Sequence, residues 1–204
     1  MREPAAMQNP LDDDVRRRLE QYVKPLYAGL DGVQTFDRVG RLHTHVAALR
    51  EADQVTPEIP EIPEIDEPLL EILLLLHGVV DRLGSLAAGG RLDLFLKGLG
   101  LPEELIRAAR AGAGRCHDDP RRPEENLLHD ALLLESTGVV ATVERLMAAG
   151  KKRVALARAL AQLDPGPAAE RYRTARGATL GAARRKTAEE WIEDLRRRAS
   201  QEGA

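Results

Sequence analysis

This chain has a single cysteine and few aromatic side chains. It also has no excess of basic residues and no long apolar run. The one cysteine, Cys116, excludes an intramolecular disulfide and is typical of a reducing compartment. Aromatic residues make up 3% of the sequence, which leaves little material for stacking nucleic-acid bases. The formal net charge of -3 argues against a generic polyanion binder. The longest uncharged apolar stretch, residues 72–80, is too short to span a bilayer.

The remaining composition is that of one folded domain. With 204 residues and 43% hydrophobic content, the chain can bury one sizeable core. Acidic residues appear early, at Glu3 and in the run from Asp12 to Asp14, so we expect no signal peptide. Together these features predict a soluble cytoplasmic protein with no membrane partner and no nucleic-acid partner. They do not indicate a protein partner.

Helical periodicity dominates the chain. Apolar residues lie at helical spacing in residues 12–30 and again in residues 36–52. Asp66 can cap a helix that carries an apolar run, His77 and Asp81, and that ends near residue 89. Further helices are predicted at residues 91–99, from residue 101 to about 112, at 124–149 and at 151–163, and a capping-box pattern at residues 187–190 introduces the last apolar face. No segment alternates as a strand does, so the prediction is an all-α, single-domain helical bundle.

Residues 57–65 repeat the tripeptide Pro-Glu-Ile three times. Proline at every third position blocks helix and sheet pairing and favours an extended polyproline conformation. We therefore predict a solvated loop here; a docking ligand is the alternative. The predicted organisation is an N-terminal helix in residues 1–30, the main helical domain in residues 31–200 with this loop inside it, and a tail at residues 201–204.

Two apolar helical runs each carry residues that can bind a metal. Residues 125–138 read ENLLHDALLLESTG and place Asp130 among leucines, where a carboxylate is costly unless a cation or a donor satisfies it. Residues 69–81 read LLEILLLLHGVVD and carry His77 and Asp81. Two such helices indicate a site inside a helical bundle.

These two runs resemble the second and last metal-binding segments of the HD-superfamily phosphohydrolases, in particular a small bacterial branch. The likeness continues in residues 172–185, YRTARGATLGAARR, and covers roughly residues 30–200. The resemblance implies an all-helical, metal-dependent phosphatase fold. It implies that His77 and Asp130 are metal ligands, with Mn, Mg, Fe, Co or Zn as the divalent ion.

The chain departs from the family's pattern at two of its four metal-binding positions. Residues 35–41, TFDRVGR, align with the first segment, so that Thr35 stands where the first histidine ligand is expected. Gly78 stands where the aspartate of the paired motif is expected. Since catalytic metal sites usually keep three or more protein ligands, we expect weak or absent metal binding.

Other polar residues could complete a site. Asp81 lies one helical turn after His77, so both can face the same way, and it could replace the missing carboxylate if the metal were displaced. His117 lies in a loop where the resemblance implies a substrate-side histidine. Arg121 and Arg122 follow it and could bind the phosphate of a small phosphorylated ligand. Asp81 and His117 are thus the predicted catalytic residues.

Each of these residues also has a purely structural interpretation. His77 could be a core histidine bonded to a backbone carbonyl, and Asp130 could pair with an arginine such as Arg38. His129 is predicted to lie at an exposed edge, because adjacent helical residues point about 100° apart. His43 and His45 are predicted to be surface residues. The basic cluster of the C-terminal segment could receive an anion or pair with neighbouring glutamates: Arg171, Arg173, Arg176, Arg184, Arg185 and Lys186.

Three functions therefore remain open at the level of the sequence. The first is an HD-like domain that has lost catalysis and acts as a binding or regulatory domain. The second is an active phosphohydrolase acting on a nucleotide or another small phosphate ester through a rebuilt ligand set. The third is an unrelated helical bundle. The loss of two ligand positions favours the first.

Overall fold

A computed structural model of the chain describes residues 10–28, 35–51, 64–83 and 90–202, except for the side chains of Asp81 and Glu202. Within these ranges the regular structure is entirely helical, so the all-α prediction is confirmed. The described α-helices are α1 (Asp13–Tyr27), α2 (Asp37–Arg50), α3 (Glu67–Leu76), α4 (Arg91–Gly98), α5 (Glu103–Arg115), α6 (Pro123–Glu135), α7 (Val139–Lys151), α8 (Leu156–Ala161) and α9 (Ala175–Glu202). Short 3-10 helices lie at Val80–Leu83 and Ala169–Arg171.

Aspartate side chains start two of these helices. Asp12 accepts a hydrogen bond from the backbone N–H of Val15 at the beginning of α1. Asp66 accepts one from the N–H of Leu69, with Pro68 in the first turn of α3, which confirms the predicted cap. Each carboxylate satisfies a backbone donor that the helix itself leaves unpaired.

The chain divides into two compact units, of which the first comprises Met1–Gly40 and Pro60–Glu125. In it α3 packs against α5 and α1, and α4 packs against α5. The apolar run makes α3 hydrophobic on every side, and seven of its ten residues are buried. This helix is the core of the first unit.

The second unit comprises Arg41–Ile59 and Asn126–Ala204. Its longest element is α9, of 28 residues, which packs against α7, α8 and the 3-10 helix Ala169–Arg171. The outer face of α7 stays exposed at Val140, Val143 and Met147, whose side chains are one or two helical turns apart. These side chains are 73%, 37% and 61% exposed, respectively.

Several predicted helix boundaries were wrong. The helix predicted to run past Asp81 ends at Leu76, with His77 at its C-cap and a turn before the 3-10 helix Val80–Leu83. His77 and Asp81 therefore do not lie on one continuous helix. The helix predicted at residues 124–149 is broken, because Gly138 adopts φ 103, a value that an α-helix cannot accommodate. The helix predicted at residues 151–163 is confined to Leu156–Ala161.

The capping-box pattern at residues 187–190 does not begin a helix. The capping-box pattern at Thr187 lies inside α9, where the Thr187 hydroxyl donates to the carbonyl of Ala183. The helix begins at Ala175, twelve residues earlier. Its first turn is held by Thr174, whose hydroxyl oxygen accepts a hydrogen bond from the N–H of Gly177.

Other predictions lie wholly or partly outside the described residues. Of the Pro-Glu-Ile repeat, Glu64 and Ile65 are described; they precede α3 without regular structure, and residues 57–63 lie outside the description. The predicted domain boundaries near residues 30 and 200 stay predictions. Among the helices that are described, none combines the length and the apolar composition that a membrane span requires.

Candidate functional site

His77 is a buried histidine at the end of α3, with 4% of its surface exposed. Its Nδ1 lies 2.7 Å from the carbonyl oxygen of Leu74. A carbonyl can only accept, so Nδ1 carries a proton. This is the carbonyl-bonded core histidine that the sequence left open. Metal-binding histidines use the same orientation, so the bond by itself does not separate the two roles.

The ring of Tyr27 fills the space beside Gly78. The Tyr27 hydroxyl donates to the carbonyl of Leu75 at 3.0 Å and accepts from the N–H of Gly78 at 3.2 Å. A Cβ atom at residue 78 would lie 2.6 Å from Cε1 of Tyr27. A carboxylate at residue 78 is therefore incompatible with this position of the ring. Burial raises the pKa of Tyr27 to about 12 and keeps the phenol neutral.

His117 is an exposed residue next to the backbone of His77, with its Nε2 3.3 Å from the His77 carbonyl oxygen. The arginines that follow it are paired with carboxylates. Arg121 binds Asp119 at 2.6 Å, and Arg122 binds Glu124 at 3.1 Å. The positive charge predicted to meet a phosphate is therefore already balanced locally.

Asp81 and Thr35 are the other two positions of the first unit that sequence analysis singled out. Asp81 lies in the 3-10 helix Val80–Leu83, and its side chain is outside the described part of the structure. Thr35 is half-buried, and its carbonyl accepts a hydrogen bond from the N–H of Arg38 at the start of α2. The structure thus brings His77 and His117 together, while Asp130 belongs to the other unit.

Asp130 is fully buried in the middle of α6 and holds the segment that leads into α9. Its Oδ1 accepts from the N–H of Arg173 at 2.8 Å. Its Oδ2 accepts from the N–H and the hydroxyl of Thr174, at 2.8 and 2.6 Å. The donors on this carboxylate are thus two backbone groups and a hydroxyl, whereas the sequence suggested an arginine side chain.

Gly177 allows the close approach of Asp130 to the start of α9. A Cβ atom at residue 177 would lie 2.3 Å from Oδ2 of Asp130 and 2.9 Å from the hydroxyl oxygen of Thr174. Burial raises the pKa of Asp130, and the hydrogen bonds from Arg173 and Thr174 oppose that rise because they favour the ionised form. Three donors and a helix N-terminus stabilise the same negative charge.

The prediction that His129 lies at an exposed edge was wrong. Its side chain is buried, with 5% of its surface exposed, and its Nε2 lies 3.3 Å from the carbonyl oxygen of Arg171. The structural reason is that residues 171–174 cover this part of α6 and bind both His129 and Asp130. The adjacent residues of the His-Asp pair thus both contact the same chain segment.

Sequence analysis missed a second polar cluster in this unit, formed around Glu135. Arg41 donates to Oε1 of Glu135 at 2.6 Å, and Nε2 of His45 lies 2.9 Å from Oε2. Nδ1 of His45 lies 3.4 Å from Arg184, whose other amino group donates to the carbonyl of Leu134 at 3.0 Å. An arginine cannot accept, so the His45 proton sits on Nε2 and points at the carboxylate.

This arrangement corrects the predicted surface positions of His43 and His45. Both are half-buried, and the His45 side chain is 14% exposed and engaged on both ring nitrogens. Arg41 and His45 are four residues apart, so one face of α2 presents both to Glu135. That spacing is the one local signal that could have revealed the cluster.

Glu135 makes the stability of this unit dependent on pH. Burial alone would raise its pKa, but hydrogen bonds from His45 and Arg41, together with the charge of Arg41, lower the pKa to about 2. A carboxyl group with a lowered folded-state pKa stabilises the fold above its unfolded value and loses that contribution as the pH falls.

We therefore expect the free energy of unfolding to fall by about 2 kcal/mol more in wild type than in Glu135→Gln between about pH 7 and pH 3. The measurement is urea unfolding of both proteins at the two pH values. Comparing them cancels the acid sensitivity of other carboxylates. Equal pH dependence in the two proteins would show that Arg41 and His45 do not stabilise the Glu135 carboxylate.

Among the described residues, no group of three or more histidine, cysteine, aspartate or glutamate side chains is arranged to hold a metal ion. At the positions implied by the resemblance, Asp130 binds the start of α9 and Gly78 has no side chain. These residues fit a divalent metal poorly.

Comparison with protein-family models, with curated proteins and with solved structures finds no match to this chain.

Proposed function

We propose that this protein is a non-catalytic helical binding or regulatory domain of HD-phosphohydrolase ancestry. In this proposal the positions that bind a cation in active relatives have become packing and capping contacts. Divalent metal binding is then weak or absent, and the protein works in the cytoplasm by binding a small ligand or another protein. Nucleic acid is not the proposed partner, given the acidic net charge and the few aromatic residues.

The observation that carries the proposal is the engagement of Asp130. Its carboxylate accepts three hydrogen bonds from Arg173 and Thr174, and Gly177 leaves it the room to do so. A divalent ion would compete with these donors for the same oxygen lone pairs. The donors would then be left unsatisfied next to a buried carboxylate, and each buried unsatisfied donor costs about 1–3 kcal/mol.

The surroundings of Gly78 support the same proposal independently. The resemblance puts a carboxylate at this position, and the Tyr27 ring occupies the volume in which its side chain would begin. The phenol also bonds the carbonyl of Leu75 and the N–H of Gly78, so it is fixed there by two hydrogen bonds. If an ancestral metal ligand was lost at residue 78, a large side chain such as Tyr27 could then fill the space.

The alternative, an active metal-dependent phosphohydrolase, predicts that the protein releases phosphate from a phosphate ester when a divalent cation is present. Under our proposal we expect no release of phosphate from nucleoside monophosphates or p-nitrophenyl phosphate in the presence of Mn²⁺, Mg²⁺, Fe²⁺, Co²⁺ or Zn²⁺. The measurement compares wild type, wild type with a chelator, and His117→Gln. Because His117 is exposed, this substitution leaves the core intact. Cation-dependent release that is lost with the chelator and reduced in His117→Gln would refute the proposal and establish the enzyme.

A further inference from the structure

A cleft of about 490 Å³ opens in the second unit beside the Glu135 cluster. It lies between α2, the end of α6, the start of α7 and the middle of α9. Its volume falls within the range of about 300–1,000 Å³ that is usual for small-molecule sites. Its lining includes both apolar and charged residues: Leu134, Val139 and Val140, and Arg41, Glu135, Glu144 and Arg184.

Two arginines of the lining, Arg41 and Arg184, are held by hydrogen bonds. Arg184 is held by the carbonyl of Leu134 and by His45, so its guanidinium is oriented by the protein. Arg41 uses Nε to bind Glu135, and within the described residues its two terminal amino groups have no hydrogen-bond acceptor. That side chain is 41% exposed, so these amino groups are accessible to a ligand.

The beginning of α7 adds to this positive character. Gly138, Val139 and Val140 line the cleft and form the start of the helix. Gly138 supplies no side-chain cap, and the first turn of α7 contains no acidic residue. The backbone N–H groups of this turn are donors that the helix itself cannot satisfy, and the helix dipole favours negative charge at this end.

The charges of the lining favour a singly charged anion over a doubly charged one. Arg41 and Arg184 bring two positive charges to the lining, and Glu135 and Glu144 bring two negative ones. Because Glu135 is already bound by Arg41 and His45, a monoanion can use the remaining donors of Arg41 and Arg184, whereas a second negative charge would add repulsion from Glu144 that no further arginine of the lining offsets. The apolar residues of the lining favour a ligand whose remaining part is non-polar.

We infer that this cleft binds a small organic monoanion, a carboxylate or sulfonate with a non-polar body, which packs on Leu134, Val139 and Val140 and directs its charge toward Arg41 and Arg184. The inference names a ligand class for the proposed binding domain and rests on that proposal for its biological meaning. Its test does not depend on phosphatase activity. Phosphate release would refute the proposed function, and the binding measurement below decides the inference separately.

The test is a fluorescence titration of the folded protein with 8-anilinonaphthalene-1-sulfonate, a monoanion with an aromatic body. We expect saturable binding at one site and displacement by octanoate but not by 1-octanol, which has the same chain without the charge. Val140→Glu is expected to weaken binding by a factor of about ten, because it puts a like charge next to the ligand and removes apolar surface. Val140 is 73% exposed, so the substitution leaves the core unchanged.

Two matched variants separate this effect from a general one. Val140→Lys changes the same side chain to a cation and is expected to retain the binding of the sulfonate. Met147→Glu adds the same negative charge on an exposed side chain two turns further along α7, outside the lining of the cleft, and is expected to change the affinity less than twofold because solvent and salt screen a charge at that distance. Absence of saturable binding, displacement by 1-octanol as effective as by octanoate, or equal weakening in Val140→Glu and Met147→Glu would overturn the inference.

Discussion

Replacing Asp130 with alanine is expected to lower the free energy of unfolding by about 3–4 kcal/mol. The substitution removes a buried carboxylate and leaves three donors without an acceptor, namely the N–H of Arg173 and both the N–H and the hydroxyl of Thr174. It also removes the negative charge at the start of α9. Urea unfolding followed by circular dichroism measures the loss.

A carboxylate on the surface of α9 provides the control. Glu189 is paired with Arg185 four residues away, and its side chain is 52% exposed. We expect Glu189→Ala to cost less than about 0.5 kcal/mol, because exposed pairs at this spacing contribute little. If Asp130→Ala destabilised the protein no more than Glu189→Ala does, the hydrogen bonds to Asp130 would not be what holds the start of α9.

The second large effect is expected at Gly78 and depends on Tyr27. Gly78→Ala would place a Cβ atom 2.6 Å from a ring carbon of a buried tyrosine, and we expect a loss of about 1–3 kcal/mol. Tyr27→Ala alone is expected to cost about 3–5 kcal/mol through loss of core packing. On the Tyr27→Ala background the ring is gone, so adding Gly78→Ala is expected to cost less than about 0.5 kcal/mol.

This double-mutant cycle isolates the contact between residues 27 and 78. Gly98 at the end of α4 serves as the matched glycine, since a Cβ atom there would meet nothing within 4 Å. We expect Gly98→Ala to leave stability unchanged or to raise it slightly, because alanine is the better helix former. Additive losses in the cycle would mean that the Tyr27 ring does not fill the space at residue 78.

The helices that sequence analysis located best are those whose signals are local. The start of α3 follows from Asp66, Pro68 and an unbroken apolar run, and all of these lie within a few residues of one another. Its end was missed because the apolar run continues through Val79 and Val80, so that hydrophobicity alone gave no stop signal. The break before α7 depends on the backbone conformation of Gly138, which a single glycine in a helical pattern does not predict.

Long-range contacts explain what the sequence could not show about the candidate site. That Asp130 is a special residue was predictable from its apolar surroundings, but its partners are more than 40 positions away at residues 173 and 174. The same contact moves the start of α9 to Ala175, away from the local capping pattern at Thr187. The pair of His45 and Glu135 spans 90 positions, and its one local signal is the four-residue spacing of Arg41 and His45 on α2.

The most direct test of the central claim is whether the contribution of Asp130 to stability depends on divalent cations. The free energy of unfolding is measured for wild type and Asp130→Ala, in excess chelator and in saturating Mn²⁺, with Mg²⁺, Fe²⁺, Co²⁺ and Zn²⁺ in parallel. If Asp130 is a capping residue, the full difference between the two proteins is present in chelator and no cation enlarges it. A difference that is small in chelator and appears only when a cation stabilises the wild type would identify Asp130 as a metal ligand and contradict the account.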